Sequence, residues 1–176
     1  KKFAWKGADA SMLVSLHIEN IAVIEKADIV FDSGLNVLTG ETGAGKSIVI
    51  DSINAVLGER IRRDLVRTGS AQAHVSALFT GISEEAAARL GEMGFEPDED
   101  GTWLIQRSIS SEGKGSCRIN GRPATVAMLR TVGRMLVNIH GQHENQALLA
   151  PEKHVEYLDR LGGLLPVRAV YETAYR

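Results

Sequence analysis

Cysteine, net charge and long apolar runs are all scarce in this sequence, and each shortage excludes a class of protein. The 176 residues include one cysteine, Cys117, which excludes an internal disulfide framework and fits a reducing compartment. The formal net charge is −2, so any contact with nucleic acid has to be local or made by other parts of the protein. No apolar run reaches the roughly 18 residues that a membrane helix needs, so we expect no membrane partner.

Repeats and low-complexity tracts are also absent, while hydrophobic residues make up 44% of the chain. This length and composition are typical of one sizeable domain with a small appendage. Residues 1–11 are basic but lack the apolar middle of a secretory signal. We expect these residues to be vector-derived, with the natural sequence beginning at Met12.

Apolar periodicity and turn residues predict an α/β domain with a mixed sheet. The predicted strands are Leu13–Ile18, Ala27–Phe31, Leu35–Leu38, His74–Phe79, Trp103–Ile109, Cys117–Asn120 and Met135–Ile139. The predicted helices are Ser47–Leu57, Ser83–Gly91 and Thr125–Val132, followed by a helical region that Pro151 opens and that breaks near Gly162-Gly163. Turns are predicted at Asp32-Ser33-Gly34 and at Asn120-Gly121.

A glycine-rich loop lies between a β-rich run and a helical run. It has the spacing G-x-x-x-x-G-K-[ST] and consists of Gly40, Glu41, Thr42, Gly43, Ala44, Gly45, Lys46 and Ser47. Glycines permit backbone angles that let successive N–H groups point at one anion, and the following helix adds its positive end. Lys46 offers a charge to the β- and γ-phosphates, and Ser47 offers a hydroxyl ligand to Mg²⁺. The loop predicts a nucleoside triphosphate site and does not distinguish ATP from GTP.

The acid that holds Mg²⁺ in a P-loop ATPase is missing downstream of this loop. Such an acid follows a run of four apolar residues, but the apolar run "MLVNI" ends at His140, and Ile29–Asp32 lies upstream and enters a turn. No Ser-Gly-Gly segment is present that could open a helix onto a partner's γ-phosphate. The chain is therefore either a binder that does not hydrolyse nucleotide or one half of a catalytic unit.

The stretch "LVSLHIENIAVIEKADIVFDSGLNVLTGETGAGKSIVIDSINAVLGER" resembles the start of an SMC-type ATPase head, and within that group it is most similar to the RecN family of bacterial double-strand-break repair proteins. Three later segments extend the resemblance: "DLVRTGS", "SCRINGRPATVAMLRTVG" and "LVNIHGQHENQALLAPEKHVEYLD". The resemblance covers about Met12 to Asp159. The P-loop is shared by many families, whereas "IHGQHE" is much more specific.

The resemblance implies a head whose two lobes are separated in sequence by a long antiparallel coiled coil. Residues 12–160 would be the N-terminal lobe, a P-loop ABC/SMC-type fold with a mixed sheet around the P-loop helix plus an antiparallel β subdomain, and residues 161–176 would start the coiled coil. The C-terminal lobe would bring the signature segment and the missing acids. The implied partners are that lobe, a second head across sandwiched ATP, and DNA ends or single-stranded regions. The full-length protein would hydrolyse ATP in the bacterial cytoplasm, near the nucleoid, and this lobe alone would be inactive.

Carried over residue by residue, the resemblance assigns Gly40 to Ser47 to the phosphates and Mg²⁺ of ATP. Lys46 and Gln142 become the catalytic residues, with Gln142 as the Q-loop glutamine whose amide oxygen reaches Mg²⁺ or the attacking water. A plain polar loop residue is the alternative for Gln142. Arg60, Arg62, Arg63 and Arg67 follow the P-loop helix. Of these, Arg67 and Arg60 are the candidates for nucleotide contact, with a solvated loop as the alternative.

Other chemically suggestive residues have plainer interpretations. The pattern H-x-x-H-E at His140, His143 and Glu144 is not a familiar zinc spacing and lacks cysteine partners, although His143 could border the γ-phosphate. Structural roles are expected for Asn20, Trp103 and Cys117. Local basic candidates for DNA contact are 60–67 and 114–122, which could equally be solvated.

Three other functions compete with the RecN-like one. A RecF-like recombination mediator has the same fold without a long coiled coil. A nucleotide or metabolite kinase would need its own acceptor site and Mg²⁺ acid, and neither is found in the sequence. An interaction module that binds ATP only structurally is the third, and Lys46, Ser47 and Gln142 argue against it.

Overall fold

The computed structural model describes residues 12–40, 45–61, 63–137, 139, 154–155, 158–159 and 161–175. The chain forms two compact units, residues 1–137 and 138–176. The strands are β1 Met12–Ile21, β2 Ile24–Val30, β3 Gln72–Thr80, β4 Trp103–Ser110, β5 Gly115–Ile119 and β6 Arg122–Ala124. The helices with described bounds are α1 Lys46–Val56, α2 Glu84–Glu92, α3 Val126–Leu136 and α4 Leu165–Tyr175, with a 3₁₀ turn at Arg63–Leu65.

The six strands form one sheet in the order β2-β1-β3-β4-β5-β6, and every pairing in it is antiparallel. Side chains alternate between the two faces, as the pleat requires. One face is mainly apolar and includes Ile18, Val75 and Ile105, which are fully buried. Helix α1 contacts β1, β3 and β4. The sheet therefore supports the helix that follows the glycine loop.

The hairpin between β5 and β6 turns at Asn120-Gly121, as predicted. Both residues have left-handed backbone angles, with φ of 44° at Asn120 and 76° at Gly121. The Asn120 side chain accepts a hydrogen bond from the Leu104 amide (2.6 Å) and donates to the carbonyls of Glu96 (2.8 Å) and Thr102 (3.1 Å). This one amide therefore ties the hairpin to two neighbouring segments of chain.

Helices α2 and α3 begin at capping residues. The Ser83 hydroxyl accepts from the Ala86 amide at 3.2 Å, as predicted, and the Thr125 hydroxyl accepts from the Met128 amide at 3.2 Å. These caps satisfy N–H groups that a helix leaves unpaired in its first turn. The sequence therefore identified the starts of both helices, to within one residue.

Helices α1 and α3 approach each other at two glycines. A Cβ on Gly58, where φ is +86°, would lie 2.4 Å from the Arg130 nitrogen. A Cβ on Gly133, inside α3, would lie 2.6 Å from the carbonyl oxygen of Leu57. No side chain fits at either position, so the end of α1 can rest directly on the backbone of α3.

Two of the predicted strands are wrong. Residues 35–38 form no strand, and Leu35, Val37 and Leu38 are 90%, 69% and 43% exposed, because no neighbouring strand among the described residues pairs with them. Met135 and Leu136 end α3 instead of starting a strand, because buried Leu129, Val132, Gly133 and Leu136 continue a helical spacing. Among the described residues, the sheet is antiparallel throughout. The predicted α/β class is correct.

The second unit contains α4. The chain turns at Gly162-Gly163, where Gly163 has φ of 66°, so the predicted break in the helical region is confirmed. Arg168 binds Glu172 one turn along α4 at 2.9 Å and Asp159 at 3.3 Å. In the part of the chain that the structure describes, every helix is too short or too polar to span a membrane.

Candidate functional site

Among the described residues, no side chain caps the N-terminus of α1. Its N-cap residue, Gly45, is buried, adopts a left-handed conformation with φ of 99°, and has no side chain to accept a hydrogen bond. The first turn of the helix contains no acidic residue. The first N–H groups of α1 and the positive end of its dipole are therefore available to an external anion.

Lys46 and Ser47 lie at the start of α1, and both are exposed. The Lys46 ammonium donates a hydrogen bond to the carbonyl oxygen of Gly40, at the opposite end of the glycine loop. The Lys46 side chain therefore joins the end of the glycine loop to its beginning. Glu41, Thr42, Gly43 and Ala44, which were predicted to line the phosphate, lie outside the described residues.

These donors fit a triphosphate with its cation. An uncapped helix start, a lysine and a serine hydroxyl supply charge and hydrogen-bond donors to phosphate oxygens and one oxygen ligand to Mg²⁺. The bond from Lys46 to Gly40 keeps the ammonium on the loop side of the helix. The missing ligand is an acid, and no group of three potential metal ligands occurs among the described residues. The residues present therefore fit the nucleotide and supply part of a cation site.

Arg107, which the sequence analysis did not single out, caps the other end of α1. Its guanidinium donates to the carbonyl oxygens of Ala55 at 2.6 Å and Glu59 at 2.8 Å. Arg107 stands on the inward side of β4, in register with buried Cys117 of β5. The sequence did contain a signal for this role: β4 alternates between its two faces, and Arg107 falls at an inward position, where a charged side chain needs buried partners.

Of the two candidate arginines, Arg67 bonds to a residue that neighbours Ile24, which lies near Gly45. Its guanidinium donates to the carbonyl oxygen of Val23 at 2.8 Å, in the turn between β1 and β2. The next residue, Ile24, has its Cδ1 atom 3.9 Å from where a Cβ on Gly45 would stand. Arg60 is exposed and lies beyond the far end of α1.

The remaining candidates fall into two groups. Gln142, His140, His143 and Glu144 lie outside the described residues, as does Arg62. Trp103 and Cys117 are buried, at 3% and 6% exposure, in line with the structural roles expected for them. Burial raises the pKa of the Cys117 thiol from its ordinary value, opposed by the nearby charge of Arg107. Asn20 has φ of 55°, and its carbonyl accepts from the Arg67 amide at 2.9 Å, which also agrees with a structural role.

A cavity of about 370 Å³ lies on the polar face of the sheet, away from the glycine loop. Its lining includes His74 and Ser108, which hydrogen-bond to each other at 2.8 Å across β3 and β4. One solvated, polar face is ordinary for an antiparallel sheet. The cavity therefore adds no chemistry to the phosphate site.

Comparison with known proteins identifies a family and close relatives. The AAA domain family model matches residues 15–146. DNA repair protein RecN of Halalkalibacterium halodurans is 46% identical over 153 residues, and that of Bacillus subtilis is 44% identical over 155 residues. Each alignment covers 86% of this chain but only 27% and 26% of the relative. The chain thus spans about a quarter of the length of these relatives.

Solved structures share the fold at lower identity. A chain from work on ATP-driven dimerization and DNA stimulated activation of SMC ATPases superposes with a TM-score of 0.59 at 24% identity, covering 85% of this chain and 98% of that one. The recombination mediator protein RecF superposes with a TM-score of 0.54 at 16% identity, covering 69% of this chain and 30% of that one. Both similarities concern the fold, which is that of an SMC-type ATPase head.

Proposed function

Because this chain belongs to the AAA domain family and is a relative of the RecN DNA repair proteins, we propose that it is the ATP-binding lobe of a RecN-like ATPase. The observation that carries the proposal is the uncapped start of α1, where Gly45, Lys46 and Ser47 meet. Helix N–H groups, an ammonium and a hydroxyl lie together there, and the first turn of α1 contains no acidic residue. This is the arrangement that a triphosphate requires.

In this proposal each residue of the chain has a distinct task. The backbone N–H groups of Gly40 to Ser47 bind the phosphates, and Lys46 leaves Gly40 to neutralise them. Ser47 and Gln142 hold Mg²⁺, which supplies charge neutralisation when it is bound with ATP. Arg67 supports the nucleotide through the turn between β1 and β2, with Arg60 as the weaker candidate because of its place beyond α1.

The chain supplies only part of the hydrolytic machinery. Residues 12–160 act as the N-terminal lobe and 161–176 begin the coiled coil, while the acids for Mg²⁺ come from a C-terminal lobe elsewhere in the protein. Two such heads dimerise with ATP between them, as ATP drives dimerization of the SMC ATPases in the similar structure. The assembled protein hydrolyses ATP and acts on DNA ends or single-stranded regions, in the bacterial cytoplasm at the nucleoid.

The RecF-like alternative is weaker than the RecN-like proposal. The RecN relatives match 86% of the chain at 44% to 46% identity, whereas the likeness to RecF is one of fold at 16% identity. The sequence feature that would separate them in the whole protein is a long heptad region after Arg176. We therefore retain the RecN-like proposal alone.

The decisive experiment measures Mg²⁺-dependent binding of ATP to this chain and to the full-length protein. Lys46→Ala should raise the Kd for Mg·ATP at least about tenfold, because a charge-assisted bond to phosphate contributes about 1.5–3 kcal/mol. Lys114→Ala is the matched control, since Lys114 is 86% exposed at the tip between β4 and β5. Equal affinities for wild type and Lys46→Ala would contradict the proposal.

A further inference from the structure

The C-terminal end of α1 is neutralised from outside the helix. Helix α1 has no basic residue in its own last turn. The charge comes instead from Arg107 of β4, whose guanidinium reaches the carbonyl oxygens of both Ala55 and Glu59. A cation at this end of a helix interacts favourably with the dipole, and Arg107 adds a second donor to the Ala55 carbonyl, which also accepts from the Gly58 amide at 3.1 Å.

Arg107 is held tightly in this position. Its side chain is half-buried, and burial is the largest influence lowering the pKa of Arg107, opposed by Cys117. An arginine nevertheless stays charged in a protein, so the two carbonyls are the partners that compensate for its burial. Removing the guanidinium takes one donor from the Ala55 carbonyl, which keeps the Gly58 amide at 3.1 Å, and removes the side-chain donor of the Glu59 carbonyl.

Arg107 contacts both α1 and the segment that follows it, and both contain residues proposed to bind the nucleotide. Helix α1 has 11 residues, so its start lies about 16 Å from Arg107 along a stiff rod. Any tilt of the rod at the Arg107 end displaces Lys46 and Ser47. Glu59, the second acceptor, directly precedes Arg60 and the segment that leads to Arg67.

We propose that Arg107 is a positioning residue for the triphosphate site, acting through α1 and the segment that follows it. The inference rests on the proposed function, since it needs ATP to bind at the start of α1. Arg107 itself touches no nucleotide. It fixes the direction in which the helix presents its N–H groups, its lysine and its hydroxyl to the phosphates.

The test separates a change in geometry from a loss of folded protein. Calorimetric titration of Mg·ATP into Arg107→Gln, in this chain and in the full-length protein, reports both Kd and the number of sites per chain. We expect a Kd about tenfold higher, which corresponds to about 1.4 kcal/mol, with the number of sites unchanged. A merely structural role would lower the number of sites and leave Kd as in the wild type.

Two further variants complete the experiment. Arg107→Lys keeps the charge but not the forked donor, so its Kd should fall between those of wild type and Arg107→Gln. Arg122→Gln is the matched control, because the Arg122 guanidinium also donates to a backbone carbonyl, that of Gly94 at 2.8 Å, away from α1. Its Kd should equal that of the wild type.

The outcomes are distinguishable. If the wild type binds Mg·ATP while Arg107→Gln binds within twofold of it, or if Arg122→Gln weakens binding equally, the inference about Arg107 is overturned and the proposed function stands. If the wild-type proteins bind no ATP, the proposed function and the inference both fail.

Discussion

At the scale of single residues, helix α1 has a positively charged side chain at each end, Lys46 at its start and Arg107 of β4 at its finish. Lys46 donates to a carbonyl of its own loop, that of Gly40, which phosphate oxygens can replace. Arg107, at the other end, bonds to the backbone carbonyls of Ala55 and Glu59. We therefore expect Lys46 to bind phosphate and Arg107 to hold the helix in place.

Arg67→Ala should weaken binding of Mg·ATP about three- to tenfold, because its guanidinium bonds to Val23, next to Ile24, whose Cδ1 atom lies 3.9 Å from where a Cβ on Gly45 would stand. Arg60→Ala should leave affinity near that of the wild type, because Arg60 follows the far end of α1. Fluorescence titration with a labelled ATP analogue measures both. The reverse order of effects would assign the nucleotide contact to Arg60.

Asp28, on the edge strand β2, makes the stability of the fold depend on pH. A hydrogen bond from His17 Nδ1, at 2.5 Å, is the largest cause that lowers the pKa of Asp28 from its ordinary value of 3.8. Because the folded-state pKa is below the unfolded one, the stabilisation is complete above about pH 3.8 and is lost as pH falls through the folded pKa.

Asp28→Asn should therefore lower the melting temperature relative to the wild type near pH 5, and the difference should vanish as the pH drops well below 3.8. Thermal melts across this pH range measure the difference. In a His17→Asn background, Asp28→Asn should have a much smaller effect, since the main donor is gone. A difference that persists at the lowest pH would show that the carboxylate is not its source.

At the scale of elements, two glycines with opposite surroundings test the packing of α1 on α3. Gly133→Ala should destabilise the chain by about 1–3 kcal/mol, because its Cβ would meet the Leu57 carbonyl at 2.6 Å. Gly91→Ala, in α2, meets nothing within 4 Å and should stabilise by about 0.5–1 kcal/mol. Urea denaturation measures both, and equal effects would mean that helix propensity rather than packing decides.

Local signals predicted the elements whose partners are local. Ser83 fixes a helix start through a bond three residues along the chain, and Asn120-Gly121 fixes a turn through its own backbone angles, so both could be predicted from the sequence. The run 35–38 could not, because an apolar run becomes a strand only when a neighbour pairs with it. The run 135–139 was ambiguous for a different reason, since short apolar runs fit helix and strand alike.

In the candidate site too, the sequence predicted the parts that are contiguous along the chain and missed the contacts between distant residues. The spacing of Gly40 to Ser47 specified the start of α1, including its lysine and serine, because the motif is contiguous in sequence. Arg107 was not predictable, because it meets α1 only through the sheet, about 50 residues along the chain from Ala55. The preference for Arg67 over Arg60 likewise came from a contact with the distant turn at Val23.

At the scale of the whole molecule, three apolar residues after β2 are exposed and are proposed as the surface that the rest of the protein covers. Leu35, Val37 and Leu38 expose 90%, 69% and 43% of their surface next to the glycine loop. Contiguous exposed apolar residues are typical of an interface. About three quarters of the length of the relatives lies outside this chain, and the proposed C-terminal lobe is the natural cover for this strip.

Val37→Asp should leave the free energy of unfolding of this chain within about 0.5 kcal/mol of the wild type, because Val37 is already exposed. It should also block reconstitution: this chain alone should show negligible ATP hydrolysis, and adding the remainder of the protein should restore it only for the wild type. Val126→Asp, at another exposed apolar position, is the control. Robust hydrolysis by this chain alone would contradict a site divided between two lobes.

The hydrogen bonds at Asn120 also bear on how the protein ages. Asparagine followed by glycine is the pair most open to deamidation, in which the glycine nitrogen attacks the side-chain amide carbon and ammonia leaves. That attack needs a freely rotating side chain, whereas Asn120 is held by Leu104, Glu96 and Thr102 at 2.6 to 3.1 Å. The folded hairpin should therefore slow deamidation of Asn120. Isoaspartate at this position would mark molecules that had spent time unfolded.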